Sequence, residues 1–178
     1  MKGIVFNLLE EAVVSAHGEI AWLDLVELAA GRGSYSSLGS YPDEELLAIV
    51  THASAVLGLS IPEVLQWFGK AAMPLLAERF AGLFELHRNS RSFVLSVNDM
   101  IHPEVRKIYS GAACPHFHFA EQDDGRLIVA YQSQRQLCHL AHGFILGAAE
   151  HFGDTVEIDH LSCTLDADPF CRLSLTWK

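Results

Sequence analysis

The feature that most constrains the fold of this 178-residue chain is a change of pattern near residue 117. Upstream, apolar residues recur at helical spacing between breaks marked by glycine. Residues 3–16 read as one helix stopping near Gly18, and 20–30 as a second ending at Gly31. After a Gly/Ser/Tyr-rich loop over 31–41, residues 43–57 read as a third helix, with acidic residues in its first turn and Gly58 past its end. Ser60-Ile61-Pro62-Glu63 has the spacing of a capping box opening a fourth. Pro74 is expected to kink or divide that helix, because it removes a backbone donor and clashes with the preceding turn. Shorter helices follow over 93–100 and 102–109.

Downstream the pattern becomes that of paired strands. Residues 117–121 and 126–131 flank Asp123-Asp124-Gly125, a hairpin turn signal, and 156–165 and 170–177 form a second pair around Asp166-Ala167-Asp168-Pro169. Between the pairs, 137–152 reads as a long helix stopping at Gly153. The expected class is α+β: a helical N-terminal part packed on a C-terminal antiparallel sheet of about four strands carrying one long helix, with room for a flat ligand between them. One domain is the default at this length, with a helical subdomain over 1–60 and the remainder over 61–178.

Charge narrows the partners. Twelve basic residues against twenty-two acidic give a net charge of −10, with no Lys/Arg cluster to follow a phosphate backbone, so nucleic acid is excluded as a partner. No apolar run is long enough to span a bilayer, and Met1-Lys2-Gly3 leads straight into amphipathic sequence rather than a signal peptide. The expectation is a cytoplasmic protein without a membrane partner. Its four cysteines then point to buried thiols or metal before disulfides.

Two motifs carry chemistry. Tyr131-Gln132-Ser133-Gln134-Arg135 places a phenol, a hydroxyl and a guanidinium at alternate positions, so on an extended strand all three project from one side. Arginine grips a carboxylate through parallel N–H bonds, and the two hydroxyls could fill its remaining lone pairs. The same alternation is also an ordinary polar strand face. His102, in Asp99-Met100-Ile101-His102-Pro103, could ligate a metal or equally cap a helix, and Pro103 suits a first helical turn. A metal ligand plus a carboxylate clamp in a largely apolar chain suggests haem.

These residues, with the opening Met1-Lys2-Gly3-Ile4-Val5-Phe6-Asn7 and Cys114-Pro115, resemble the haem-nitric oxide/oxygen-binding (H-NOX) family, related to the sensor domain of soluble guanylate cyclase. The resemblance runs over essentially the whole chain. It implies haem b, with His102 as the proximal iron ligand, Pro115 pressing on the porphyrin, and Tyr131, Ser133 and Arg135 on the propionates. Members of the family that hold oxygen use a distal tyrosine; Leu140 stands at the matching position, beside Phe144. Leu9 and Pro74 are expected in the distal wall and likewise cannot donate. His139 and His142 flank Leu140 on different helical faces. The implied function is a bacterial sensor that binds NO and CO and excludes oxygen. NO would weaken the iron–His102 bond and so signal to a separate histidine kinase or cyclic-di-GMP enzyme.

A second constellation is Cys138, His160, Cys163 and Cys171, three thiols and an imidazole that could close a tetrahedral zinc site. Buried cysteines are also ordinary small hydrophobes. In an ideal strand His160 and Cys163 point to opposite faces, so coordination requires a bulge or turn between them. The resemblance implies zinc on this set, leaving Cys114 outside it. A zinc-thiolate redox sensor on the same fold, with or without haem, is therefore the alternative reading. Three thiolates and a histidine leave no open position for catalysis, and no nucleophile elbow, phosphate loop or paired-carboxylate motif occurs, so an enzyme is not expected.

Overall fold

The computed structural model describes residues 1–178. Three helices come first: α1 (Gly3–His17), α2 (Glu19–Leu28) and α3 (Asp43–Leu57). Then α4 (Ile61–Arg79), α5 (Ala81–Phe84) and α6 (Ser90–Leu95) lead into a π-helical turn (Val97–Ile101) and α7 (His102–Ile108). Strands β1 (His116–Glu121) and β2 (Leu127–Gln132) precede α8 (Cys138–Phe152), and β3 (Val156–Ser162) and β4 (Cys171–Trp177) close the chain. The strands form one antiparallel sheet in the order β1-β2-β4-β3. The α+β architecture expected from the sequence is the one found.

Local sequence explains most boundaries. Ser60 accepts the Glu63 backbone N–H while the Glu63 carboxylate accepts from the Ser60 N–H, so the capping box fixes the start of α4. Gly58 and Gly153 take left-handed conformations that end α3 and α8. Pro74 does not divide its helix: α4 continues through it to Arg79. Its side is exposed, so the carbonyl that loses a backbone partner is within reach of water. The segment expected as the far end of a strand over 156–165 instead leaves the sheet at Ser162 and coils into a 3-10 turn, Thr164–Asp166.

Helix α8 joins the two halves. Its Leu140 belongs to the main apolar core, with Phe6, Trp22, Leu46, Ile49 and Phe68 of α1–α4. Its Ile145 and Ala149 pack on the sheet face made by Leu127, Val129, Leu173 and Leu175. Helices α4 and α8 meet at backbone contact because glycines face each other. A Cβ on Gly69 would strike the Leu140 carbonyl, one on Gly143 the Gln66 carbonyl, and one on Gly147 would lie 2.6 Å from Met73 Cβ. Gly143→Ala must therefore force the helices apart, and overpacking of this kind costs about 1–3 kcal/mol. A urea melt should show that loss; an unchanged midpoint would mean that the crossing is loosely held.

Candidate haem site and thiol cluster

The crossing of α4 and α8 roofs a cavity of about 450 Å³, within the usual range for a small-molecule site. Helices α1, α4 and α8, the π turn with α7, and strands β1 and β2 wall it, and 28 of its 35 lining residues are hydrophobic. A ligand here must therefore be largely apolar. The wall from α1, α4 and α8 presents Ile4, Val5, Leu8, Met73, Leu140 and Phe144, none of which carries a side-chain N–H or O–H. Leu9 and Pro74, expected in this wall, are not in it. One residue on a helix turns about 100°, so Leu8 faces the cavity while Leu9 is buried in the main core; Met73 faces inward and Pro74 outward.

His102 lines the cavity at the start of α7, where the π-helical turn hands over to regular helix, with Pro103 in the first turn. Such π turns often mark functional positions. Its ring lies 6.0 Å from that of Phe117, and its Nδ1 is buried without a hydrogen-bond partner. Burial first, then the nearby Arg106 guanidinium, push the imidazole down to about 4, against a smaller opposing effect of the Pro115 backbone. It is held neutral at physiological pH, the form that binds metal. Pro115 lines the same cavity.

Tyr131, Ser133 and Arg135 also reach the cavity, but not as one extended strand. Strand β2 ends at Gln132, and Ser133 and Arg135 sit in a turn closed by Gln136 at φ 52°. Within it the Arg135 backbone N–H donates to Ser133 Oγ at 3.2 Å. Arg135 Nε donates to Asp43 Oδ2 at 2.6 Å and its Nη1 to the Ala113 carbonyl. Of the five guanidinium N–H groups, those two bonds leave three for an incoming carboxylate. Asp43 also takes the Met1 ammonium through Oδ1, which ties the chain's first residue, α3 and the clamp together. In the sequence Asp43 is an acidic first-turn residue; its partner stands 92 positions away, and no local pattern marks such a pair.

An apolar slot, a neutral buried imidazole with an orphaned nitrogen and a guanidinium with spare donors fit haem. The Haem-NO-binding family model matches residues 2–160. The chain belongs to this family, the H-NOX domains. Its fold overlays the crystal structure of an H-NOX protein from S. oneidensis in the Fe(II)NO ligation state with a TM-score of 0.93, at 33% identity over 100% of this chain and 99% of that one. The NMR structure of an H-NOX domain from Shewanella oneidensis in the Fe(II)CO state gives 0.89 at 33% identity, covering 100% and 99%. Fe(II) unliganded H-NOX from K. algicida gives 0.88 at 26%, covering 100% and 97%. H-NOX domains are haem-based gas sensors.

The H-NOX family match stops at His160, and the chain's thiol cluster straddles that end. The bulge that coordination requires is present: the register of β3 on β4 shifts between His160 and Ser162. Cys138 Sγ lies 3.5 Å from Cys163 Sγ, and Cys171 Sγ 4.0 Å from Cys163 Sγ. His160 joins them, its Nε2 3.0 Å from His142 Nδ1 and its own Nδ1 buried without a partner. His139, which sequence reading left unplaced, stacks on His160 at 4.2 Å. Cys114 stands apart in the wall of the haem cavity.

The buried imidazoles set a pH dependence. His102, His142 and His160 are each pushed down to about 4, by burial first, then by Arg106 at His102 and by neighbouring imidazoles at His142 and His160, with Asp166 opposing at His160. Unfolded, they take up protons from about pH 6.5 downward, while the fold refuses them until about 4, so stability falls with pH across that window. Asp43 adds a loss at lower pH. Burial raises its carboxyl, but the N-terminal ammonium and Arg135 more than offset this and hold it below its usual value. Its contribution is present above the ordinary carboxylate range and lost as pH falls through the lowered value. The metal- and haem-free protein should therefore unfold at a lower urea concentration at pH 5 than at pH 7. Equal midpoints would contradict the burial assigned to these rings.

Proposed function

We propose that this H-NOX domain senses nitric oxide, also binds CO, and excludes dioxygen. The observation that carries the reading is the wall of Ile4, Val5, Leu8, Met73, Leu140 and Phe144. Bound dioxygen carries partial negative charge and needs a hydrogen-bond donor, which this wall does not offer, whereas NO and CO need far less. Haem b, when bound, would supply an iron that binds the gas, with the polarity of the surrounding pocket deciding which gas is held.

His102 is the residue to hold the iron, and Tyr131, Ser133 and Arg135 the residues to hold the propionates. Pro115, from the segment between α7 and β1, would press on the ring. His102 begins α7, so release of its ring frees one end of that helix, while the Arg135–Asp43–Met1 link ties the clamp to the N-terminal helices. A partner that binds the two arrangements with different affinity reads the change as a population shift. In the cytoplasm, a separate histidine kinase or cyclic-di-GMP enzyme would serve. With a net charge of −10, docking to a basic patch would weaken with salt.

The test is anaerobic titration of the ferrous, haem-loaded protein with NO, followed by absorbance. A shift to a five-coordinate nitrosyl Soret band would support release of His102; a band that stays six-coordinate would overturn it. A second reading, zinc-thiolate redox sensing, is favoured by the convergence of Cys138, Cys163 and Cys171 around His160. Oxidants that convert zinc thiolates to disulfides would then release the metal.

A further inference from the structure

The chain entering β1 alternates between the haem cavity and solvent. Pro115 and Phe117 line the cavity, while His116 and His118 are exposed on the opposite face. Gln132, also exposed, is the cross-strand partner of His116 on β2. We propose that His116, His118 and Gln132 form a surface site for a divalent late transition-metal ion such as nickel, copper or zinc. Imidazole selects these ions, whereas calcium and magnesium favour carboxylates, which this set does not contain.

The spacing fits chelation. The two rings lie 4.7 Å apart, centroid to centroid, at 69° to one another. Two imidazoles on one ion at about 2.0–2.1 Å have centroids about 4.5–5.3 Å apart, for angles from square to tetrahedral. Gln132 Oε1 lies 2.9 Å from His118 Nε2. Ligands at right angles, each about 2.0–2.1 Å from an ion, are about 2.8–3.0 Å apart. An ion between them would replace the hydrogen bond that joins them, the ring proton of His118 moving to Nδ1. Water fills the remaining positions on this exposed face.

The backbone that spaces the two imidazoles is held in place. Asn98, in the π turn, donates to the Phe117 carbonyl at 2.6 Å and accepts the Phe117 N–H at 3.1 Å. Its amide thereby covers the free edge of β1, the outermost strand of the sheet. The Phe117 ring, on the other face, lies 6.0 Å from that of His102 and 5.7 Å from that of Tyr131. An ion on His116 and His118 would therefore stiffen the segment that packs against the candidate iron ligand. The site shares no residue with the thiol cluster, and its binding of metal does not depend on which gas the haem takes.

Ni(II) added to the haem-loaded, CO-bound protein tests this by two-dimensional amide NMR, with affinity measured by equilibrium dialysis. Paramagnetic broadening should centre on residues 116–118 and 132. His116→Ala and His118→Ala should each weaken Ni(II) binding by at least about 10-fold, and Gln132→Ala by less. All three side chains are exposed, and the amide spectrum reports that each variant is folded. Broadening confined to the surroundings of Cys138 and Cys163 would overturn the proposal. So would broadening at His17 and His151, the other exposed histidines, with affinity unchanged in the variants. Failure to bind Ni(II) more tightly than a His116→Ala/His118→Ala double variant would overturn it as well.

Discussion

Leu140→Tyr should make the haem-loaded protein hold dioxygen. Leu140 is on α8 with its side chain in the cavity wall and its backbone fixed against Gly69 of α4, so a tyrosine there projects into the slot from a rigid helix. A hydrogen bond to a charged acceptor is worth about 1.5–3 kcal/mol, which corresponds to a gain of about 10–100-fold in oxygen affinity. Leu140→Phe adds similar bulk without the donor and should leave oxygen binding unchanged. Equilibrium absorbance under graded oxygen separates the two. Equal behaviour of both variants would mean that something other than the missing donor governs exclusion.

The second large effect concerns retention of haem. Arg135→Ala removes the only guanidinium in the cavity wall and should speed haem loss by about 10–100-fold, the cost of a charge-assisted pair. It also leaves Asp43 with the Met1 ammonium as its remaining cationic partner. Arg135→Lys keeps the charge but not the fork that engages Asp43, the Ala113 carbonyl and a ligand carboxylate together, so it should recover only part of the loss. Transfer of haem to excess apomyoglobin measures the rates. An Arg135→Ala rate equal to that of the parent protein would show that the propionates are held elsewhere.

What could be read from the chain depended on range. The capping box at Ser60, the glycine ends of α3 and α8 and the turn at Asp123-Asp124-Gly125 are local, and they lie where the pattern puts them. His102, Pro115, Tyr131, Ser133, Arg135, Leu140 and Phe144 all line one cavity. What escaped were matters of phase and long-range pairing. Leu9 and Pro74 lie one step round their helices from Leu8 and Met73, a difference that a stripe of apolar residues does not resolve. Ser133 and Arg135 reach the cavity through a turn rather than a strand, because β2 ends at Gln132. The Asp43–Arg135 pair and the meeting of His139 with His160 depend on tertiary packing. The bulge before Cys163 follows from the sequence as a requirement of coordination, since strand alternation alone keeps His160 and Cys163 apart.

The most direct test of oxygen exclusion is the absorbance spectrum of the purified ferrous, haem-loaded protein without oxygen and then in air. The Soret band should stay in place in air until slow oxidation of the iron, and move at once when NO is added. A prompt shift in air to a stable new band, reversed by removing oxygen, would contradict it.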